Sequence, residues 1–174
     1  MTPRQILRTL IIFAILCCNI GCDQISKSIV RKTIDYHQQI DVIENFVTLM
    51  KVENTGAFLS LGHDLPEPVR ILLLTVLPLL VLVAALIFVL RKSELSDLTI
   101  LGICFVIGGG IGNIYDRIVH GSVTDFLHID FGIFQTGIFN MADVSIMTGM
   151  FIVLIASYLK SQSIYLNSTK NDVE

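Results

Sequence analysis

The chain has 174 residues, a formal net charge of -3 and a hydrophobic content of 53%, while only 16% of its residues are charged. Its mean hydropathy is +0.73. This composition excludes an ordinary soluble domain, in which about 25% of the residues are charged. The basic residues are scattered, so the sequence gives no indication of nucleic-acid binding. We therefore interpret the chain as an integral membrane protein.

Four uncharged runs predict four transmembrane helices, since about 20 apolar residues span a bilayer. Arg4 and Arg8 precede the first run. The predicted helices are residues 6–26, 69–90, 97–115 and 140–160. Residues 27–68 and 116–139 are then extramembrane loops on one side, and residues 161–174 are a tail on the other. We interpret residues 1–174 as a single membrane domain.

The first run has an alternative interpretation as a lipoprotein signal peptide, because it ends in Gly21-Cys22. Position 19, however, is Asn where such signals usually carry Leu, and three more apolar runs follow. An uncleaved helix is the better interpretation. All four cysteines lie in apolar runs. We expect them to be buried small hydrophobic residues and not disulfides or metal ligands.

Several shorter patterns predict local structure. Residues 45–53 are rich in β-branched and apolar side chains and predict a strand, which ends in a turn at Asn54 and Gly56. Pro78 is expected to kink the second helix. The spacing of Asp23 and Lys27 predicts an i, i+4 ion pair at the membrane interface, worth only a few tenths of a kcal/mol. Two glycines predict close helix packing in the third helix, at positions Gly108 and Gly112.

Asp143 is the most informative residue of the sequence. No other residue from Phe131 to Leu159 carries a formal charge. A carboxyl group at membrane depth is costly and usually marks a functional site. Asp125 lies in the loop that leads back to this run, and two carboxyl groups that share a proton can catalyse hydrolysis.

Other residues near this pair have both a functional and a structural interpretation. Asn113, Arg117 and Asn140 are candidates for orienting the carboxyl pair or a scissile carbonyl. Asp116 and Arg117 can also form a simple interfacial ion pair, and Asn140 can be a helix N-cap three residues before Asp143.

The sequence lacks the motifs of two other protease classes. It has no His-Glu-x-x-His of a zinc protease and no Gly-x-Ser-Gly of a serine protease. Its four histidines show no spacing typical of metal ligands, so we expect no metal and no cofactor. His120 and His128 remain candidates for a base beside Asp125, although loop histidines are more often solvated.

Five motifs together resemble a known family. They occur in the order Asp23-Gln-x-Ser-Lys27, Asn54-Thr-Gly-Ala57, Gly108-Gly-x-x-Gly112-Asn113-x-x-Asp116-Arg117, Val123-x-Asp125-Phe126 and Phe139-Asn140-x-Ala142-Asp143. This ordered set is similar to that of bacterial lipoprotein signal peptidase, also called signal peptidase II. The resemblance covers nearly the whole chain.

The resemblance implies a mainly α membrane protein with four transmembrane helices and a small periplasmic β-cradle. It implies an aspartic endopeptidase of the bacterial inner membrane, which removes the signal peptide of diacylglyceryl-modified prolipoproteins just before the lipidated cysteine. The expected partners are these substrates and membrane lipid, and we expect a monomer. Asp125 and Asp143 match the catalytic pair. The supporting positions are matched by Asp23, Lys27, Asn54, Gly56, Asn113, Asp116, Arg117, Asn140 and Ala142.

One motif departs from the family pattern. The family usually continues the Asn54 motif as Gly-Ala-Ala-Phe-Ser, whereas this chain reads Gly56-Ala-Phe58-Leu-Ser60. The departure affects the role expected for Phe58 and not the catalytic pair.

Two other functional classes compete with the peptidase. A small transporter could move protons or bind a cation through Asp23 and Asp143. From the residues alone this class is about as well supported as the enzyme, although four short helices are a small scaffold and the acidic residues lie toward one interface. A scaffold that only binds partner helices would leave Asp143 unexplained.

The orientation follows from the placement of positive charge. Lys and Arg are equally frequent on the two sides of the predicted helices, but they are denser in the short terminal segments, and Arg4 and Arg8 directly precede the first helix. Both termini are therefore expected in the cytoplasm. The acidic residues then gather at the outer interface.

Cysteine labelling tests this orientation. In a cysteine-free background, a single cysteine at Glu44 should react with a membrane-impermeant thiol reagent added to intact spheroplasts, and one at Ser93 should not. Labelling of the Ser93 position alone would reverse the orientation and move the acidic residues to the cytoplasmic side.

Overall fold

A computed structural model describes residues 2–57, 60–92 and 94–171, with side chains described as far as residue 163. Its helices are α1 (Pro3–Thr33), α2 (Glu67–Arg91), α3 (Asp97–His120) and α4 (Met141–Asn171). Its strands are β1 (Gln39–Ile43), β2 (Val47–Asn54) and β3 (Val123–Ile129). Within these residues four helices are long and apolar enough to cross a membrane. The predicted fold class is confirmed, while the division of the chain into a single domain stays a prediction.

The helices are longer than the predicted ones. α1 continues to Thr33 and not only to residue 26, α3 continues to His120 and not only to residue 115, and α4 continues beyond residue 160 to Asn171. The predicted loops and tail are shortened accordingly. The prediction ended each helix close to its first charged residues. In the fold, charged residues of α1 and α3 are buried against each other, so both helices extend beyond the apolar runs.

Local interactions and glycine geometry define the ends of the helices. Thr2 and Gln5 exchange hydrogen bonds in a capping box at the start of α1. Gly121, with φ of 77°, ends α3 in the left-handed conformation that glycine tolerates best. In α2 the turn from Leu72 to Val76 is a π-helix, and the regular α-helix resumes at Leu77, just before Pro78. The distortion that the sequence predicted at this proline therefore takes the form of a π-helical turn.

α3 is the central helix of the bundle. In its most apolar segment 44% of the residues are buried, compared with 22% or less in the corresponding segments of the other three helices. Its Ile100, Cys104 and Ile107 pack with Ile12 of α1 and Val89 of α2. The other helices expose apolar side chains on their outer surfaces, as expected for surfaces that face lipid. Cys17, Cys18 and Cys22 lie on the outer surface of α1.

The cysteine prediction is therefore partly wrong. All four cysteines are free, as expected, but only Cys104 is buried. The sequence shows that a residue lies in an apolar run, but in a membrane helix this run is apolar on the lipid-facing side as well as on the packed side.

Glycines allow α3 to approach its neighbours closely. A Cβ atom on Gly108 would lie 2.7 Å from Cβ of Asn19, and one on Gly112 would collide with the Asp23 carboxylate, both in α1. On the other side of α3, a Cβ on Gly109 would collide with the carbonyl oxygen of Ala142 in α4. The predicted small-residue face is therefore a packing surface toward α1.

The sheet is small and antiparallel, in the order β1-β2-β3. The pairing of β2 with β3 places Asp125 opposite Val52. On the other face of β3, Phe126 packs against Val30 and Ile34 at the end of α1. The extension of α1 beyond its apolar run therefore supports the sheet and fixes the position of Asp125.

Gly109→Ala tests the close packing of α3 and α4. The added methyl group should lower the free energy of unfolding by about 1–3 kcal/mol, because the facing atom is backbone and cannot turn away. Thermal unfolding in detergent micelles measures this loss. Gly21→Ala is the matched control, since nothing lies within 4 Å of the added atom, and it should stabilise the helix slightly. Equal stability of the two variants would contradict the packing.

Candidate active site

Asp143 lies in the first turn of α4, in a reciprocal cap with Asn140. The backbone N–H of Asn140 donates to Oδ2 of Asp143 over 3.1 Å, and the backbone N–H of Asp143 donates to Oδ1 of Asn140 over 3.1 Å. The helix N-terminus also favours a negative charge at this position. The interpretation of Asn140 as a helix cap is confirmed.

Asn140 also contacts the second carboxyl group of the predicted pair. Its Nδ2 atom donates to Oδ1 of Asp125 over 2.6 Å. The other oxygen of Asp125 accepts a hydrogen bond from Nδ2 of Asn54 over 3.0 Å. Asn140 is fully buried, and Asp125 is only 4% exposed. One buried asparagine therefore joins Asp125 to Asp143.

The environment of Asp125 favours its protonated form. Burial raises the pKa of Asp125 to about 6, and repulsion from Asp143 acts in the same direction. Hydrogen bonds from Asn54 and Asn140 and the charge of Lys27 oppose this shift in pKa. Asp125 can therefore keep a proton to a higher pH than an ordinary carboxyl group while it remains hydrogen-bonded.

Asn113 is the third amide side chain of the site. Its Nδ2 atom donates to Oδ1 of Asp143 over 2.9 Å. Its Oδ1 atom accepts from Nδ2 of Asn140 over 3.1 Å and from Nζ of Lys27 over 2.9 Å. Asn113 therefore links the carboxyl pair to charged residues of α1.

These charged residues form a buried ion cluster. Nζ of Lys27 lies 2.9 Å from Oδ2 of Asp23 and 2.9 Å from Oδ2 of Asp116, and all three side chains are fully buried. Arg31 adds a contact of 2.8 Å to Oδ1 of Asp116. The cluster carries two positive and two negative formal charges, so each buried charge has a partner.

Two structural interpretations made from the sequence need correction. The predicted i, i+4 ion pair of Asp23 and Lys27 is present, but both side chains are inaccessible to solvent, so it is not the weak surface pair that the spacing suggested. Asp116 pairs with Lys27 and Arg31 of α1 and not with its neighbour Arg117. Spacing along one helix identified the i, i+4 pair, but the partners on a second helix depend on packing that the sequence does not display.

Asp23 also fixes the start of α4. Its Oδ1 atom accepts a hydrogen bond of 2.9 Å from the backbone N–H of Ala142, one of the amide groups that a helix cannot satisfy internally. Ala142 is fully buried. The contact joins α1 to the residue directly before Asp143, and it brings together Asp23 and Ala142, two of the predicted supporting residues.

Arg117 holds the loop that follows β2. Its Nη2 atom donates to the carbonyl oxygen of Gly56 over 2.7 Å, and the backbone N–H of Gly56 donates to Oδ1 of Asn54 over 2.9 Å. A Cβ atom on Gly56 would lie 2.6 Å from the backbone of Ser60. The predicted supporting residues Asn54, Gly56 and Arg117 are thus brought together. The question of Phe58 lies outside the described residues.

The structure adds residues that the sequence analysis missed. The hydroxyl group of Thr124 accepts from Nε of Arg31 over 2.8 Å and donates to Oε1 of Glu53 over 2.9 Å. Gln24 donates to Oδ1 of Asp116 over 3.1 Å. Helical spacing was the one available signal, because Arg31 follows Lys27 by four residues and so lies on the same face of α1.

The histidines considered as bases lie away from the carboxyl pair. His128 is three residues from Asp125 in β3, so the two side chains point to opposite faces of the strand. His120 is an exposed residue at the end of α3. Among the described residues, no group of three or more His, Cys, Asp or Glu side chains could hold a metal ion.

Two cavities open onto the site. A groove of about 420 Å³ runs between α2 and α3, with Leu74, Val81 and Ile114 in its wall, and reaches Asn113 and Arg117 at its polar end. A smaller cavity of about 210 Å³ is lined by Asn54 and Asp125 together with Val52, Ser60 and Ile138. The apolar groove therefore reaches Asn113, which donates to Asp143, and the smaller cavity reaches Asp125 itself.

Fold and site together define a polytopic membrane protein with a buried polar centre at one end of its helix bundle. Two solved structures, each described as a bacterial membrane enzyme structure determined by the in meso method, share this fold. The first, at 2.3 Å resolution, has a TM-score of 0.76 and 24% identity over 87% of this chain and 89% of its own. The second, at 1.9 Å, has a TM-score of 0.72 and 23% identity over 83% and 90%.

Sequence comparisons identify the family. Residues 14–159 match the signal peptidase II family. The lipoprotein signal peptidase of Streptococcus pneumoniae is 36% identical over 84% of this chain and 91% of its own length. That of Treponema denticola is 35% identical over 82% and 87%. The chain therefore belongs to the signal peptidase II family, the lipoprotein signal peptidases, which process bacterial prolipoproteins.

Lys27→Met tests the ion cluster. The variant leaves two buried carboxylates without their shared cation, so we expect a loss of about 3–5 kcal/mol in the free energy of unfolding. Denaturation of the purified protein in mixed micelles measures the loss. Lys32→Met, five residues along the same helix at an exposed position, should change stability little. A stable Lys27→Met protein would show that the cluster is not essential to the fold.

Proposed function

We propose that this protein is an aspartic endopeptidase of the bacterial inner membrane. Its substrates are diacylglyceryl-modified prolipoproteins, which it cleaves directly before the lipidated cysteine. Asp125 and Asp143 are the catalytic pair. The observation that carries the proposal is the hydrogen bonding of one buried residue, Asn140, to both carboxyl groups. Two carboxyl groups held at one place by a shared partner can divide the roles of acid and base.

The different surroundings of the two carboxyl groups indicate which is the acid and which is the base. Asp125, whose pKa is raised by burial to about 6, is the acid. Asp143 is the base, because it lies at a helix N-terminus and accepts hydrogen bonds from Asn113 and from the backbone of Asn140. An ionised carboxylate is a better acceptor for such bonds than a carboxylic acid.

The reaction follows from this assignment. Asp143 removes a proton from a water molecule, whose oxygen bonds to the scissile carbonyl carbon while Asp125 protonates the carbonyl oxygen. The resulting tetrahedral diol breaks its C–N bond. Asp143 gives its proton to the leaving nitrogen, and Asp125 regains a proton from the diol hydroxyl group. Both carboxyl groups return to their starting states, so no covalent enzyme intermediate is needed.

The groove between α2 and α3 is suited to the apolar part of the substrate. Its wall is apolar, and its polar end is formed by Asn113 and Arg117. A signal peptide lying in this groove would place its cleavage site next to the carboxyl pair. Membrane lipid surrounds the exposed apolar surfaces of the helices. One copy of the chain supplies both carboxyl groups, so a monomer has a complete site.

We propose that the site lies at the periplasmic interface, with both termini in the cytoplasm. The sheet and the residues around Asp125 lie outside the apolar runs, at the opposite end of the bundle from Arg8, which contacts the carbonyl groups of Val89 and Lys92. The confinement of the ion cluster to one end also favours a peptidase over the small transporter, since a translocation path needs polar groups across the membrane.

Asp125→Asn and Asp143→Asn test the catalytic pair. Each substitution nearly preserves shape but removes the proton transfer, so each should abolish cleavage of a diacylated prolipoprotein in detergent while the protein still folds. Because the two groups act as one unit, the double variant should be little worse than either single variant. Asp64→Asn, at an exposed position, is the control and should retain activity. Substantial cleavage by either variant of the pair would refute this mechanism.

The pH profile tests which carboxyl group is the acid. Asp125 must be protonated in the free enzyme, so kcat/KM should fall as the pH rises through its pKa, at about 6. The hydrogen bond from Asn54 lowers this pKa by stabilising the charged form. Asn54→Leu should therefore move the fall in kcat/KM to higher pH. A shift to lower pH, or no shift, would contradict the assignment of Asp125 as the acid.

A further inference from the structure

The orientation of the Asn113 amide group depends on Lys27. An asparagine side chain can turn over with almost no change of shape, which exchanges its oxygen with its nitrogen. In this site the nitrogen faces Asp143, and the oxygen faces Lys27 and Asn140. The opposite orientation would place the amide oxygen against the carboxylate of Asp143 and leave Oδ1 of that carboxylate without its donor.

Lys27 has the means to select one orientation. Its ammonium group has three N–H donors, and three acceptors lie 2.9 Å from Nζ, namely Oδ2 of Asp23, Oδ2 of Asp116 and Oδ1 of Asn113. An ammonium group has no lone pair, so it cannot accept a hydrogen bond from an amide N–H group. Asn140 favours the same orientation, but its contact is longer, at 3.1 Å, and neutral, and a charge-assisted hydrogen bond is the stronger one.

We propose that Lys27 is a positioning residue for the cleavage reaction. It holds the Asn113 amide group so that an N–H always faces Asp143, which keeps the carboxylate of Asp143 aimed as the base. Lys27 acts through Asn113 and has no contact with the reacting atoms. The inference rests on the proposed function of Asp143, and it gives the ion cluster a catalytic purpose in addition to its role in stability.

A double-mutant cycle tests this coupling. Lys27→Met combined with Asp116→Asn removes one positive and one negative charge, so the net charge of the cluster is unchanged, and Asp23 and Arg31 remain as one charge of each sign. This pair of substitutions should lower kcat by roughly 10- to 100-fold, the cost of a misplaced catalytic group, with KM changed by less than about threefold. Asp116→Asn alone keeps the contact between Lys27 and Asn113 and should lower kcat much less.

The cycle is completed with Asn113→Leu, which removes the hydrogen bonds from Lys27 to Asn113 and from Asn113 to Asp143 but leaves all four residues of the ion cluster in place. It should lower kcat to a similar extent, and adding it to the Lys27→Met, Asp116→Asn protein should cause little further loss, because both changes remove the same interaction. Losses that multiply would mean that Lys27 acts independently of Asn113. A folded protein lacking Lys27 with the kcat of Asp116→Asn alone would also overturn the proposal.

Asn113→Asp provides a second test that does not depend on removing a buried charge. It preserves shape and keeps an oxygen toward Lys27, but the atom facing Asp143 is then an oxygen without a proton at high pH. Activity relative to the wild type should be about tenfold or more lower at pH 8 and should recover as the pH falls, because the introduced carboxyl group regains a proton to donate. The charged groups of this network are Asp23, Lys27, Arg31, Asp116, Arg117, Asp125 and Asp143.

The outcomes separate this inference from the proposed function. A relative activity of Asn113→Asp that does not change with pH would mean that the N–H facing Asp143 has no part in the reaction, even if Asp143→Asn is inactive. An active Asp143→Asn protein would instead remove the catalytic pair itself. Asp64→Asn, at an exposed position outside the network, should follow the wild-type pH profile throughout.

Discussion

The site depends on the contacts made by the buried ammonium group of Lys27. It lies 2.9 Å from carboxylate oxygens on both α1 and α3 and from the amide oxygen of Asn113. Because a buried charge without partners is very costly, these acceptors must meet when the bundle packs. Their meeting fixes α1 against α3, and the contact of Asp23 with Ala142 then fixes the start of α4. The position of Asp143 is therefore set by charges outside the carboxyl pair.

The same network explains why a polar centre is tolerated at the end of an apolar bundle. Glycines at 108 and 112 bring α1 and α3 close enough for the ion cluster to be sealed from solvent. The sheet covers Asp125 from the other side, where β3 rests on the end of α1. Burial then raises the pKa of Asp125 to about 6, so this carboxyl group keeps its proton to a higher pH than an ordinary one.

The sequence predicted the number of helices, the strand before Asn54 and the carboxyl pair, because uncharged runs, β-branched residues and an isolated intramembrane Asp are local signals. It did not predict the helix extensions to Thr33 and His120 or the contacts of Asp116. Both depend on charges from different helices that cancel only after packing. Thr124 and Glu53 were not predicted either, because their hydrogen bond joins two strands that are far apart in the chain.

The most direct test of the central claim is the mass of the products formed by the purified protein from a diacylated prolipoprotein in detergent. The account predicts two fragments, divided at the peptide bond before the diacylglyceryl-modified cysteine, and no cleavage when Asp125 and Asp143 are both replaced by Asn. Intact substrate after incubation with the folded wild-type protein, or a cut at another bond, would contradict it.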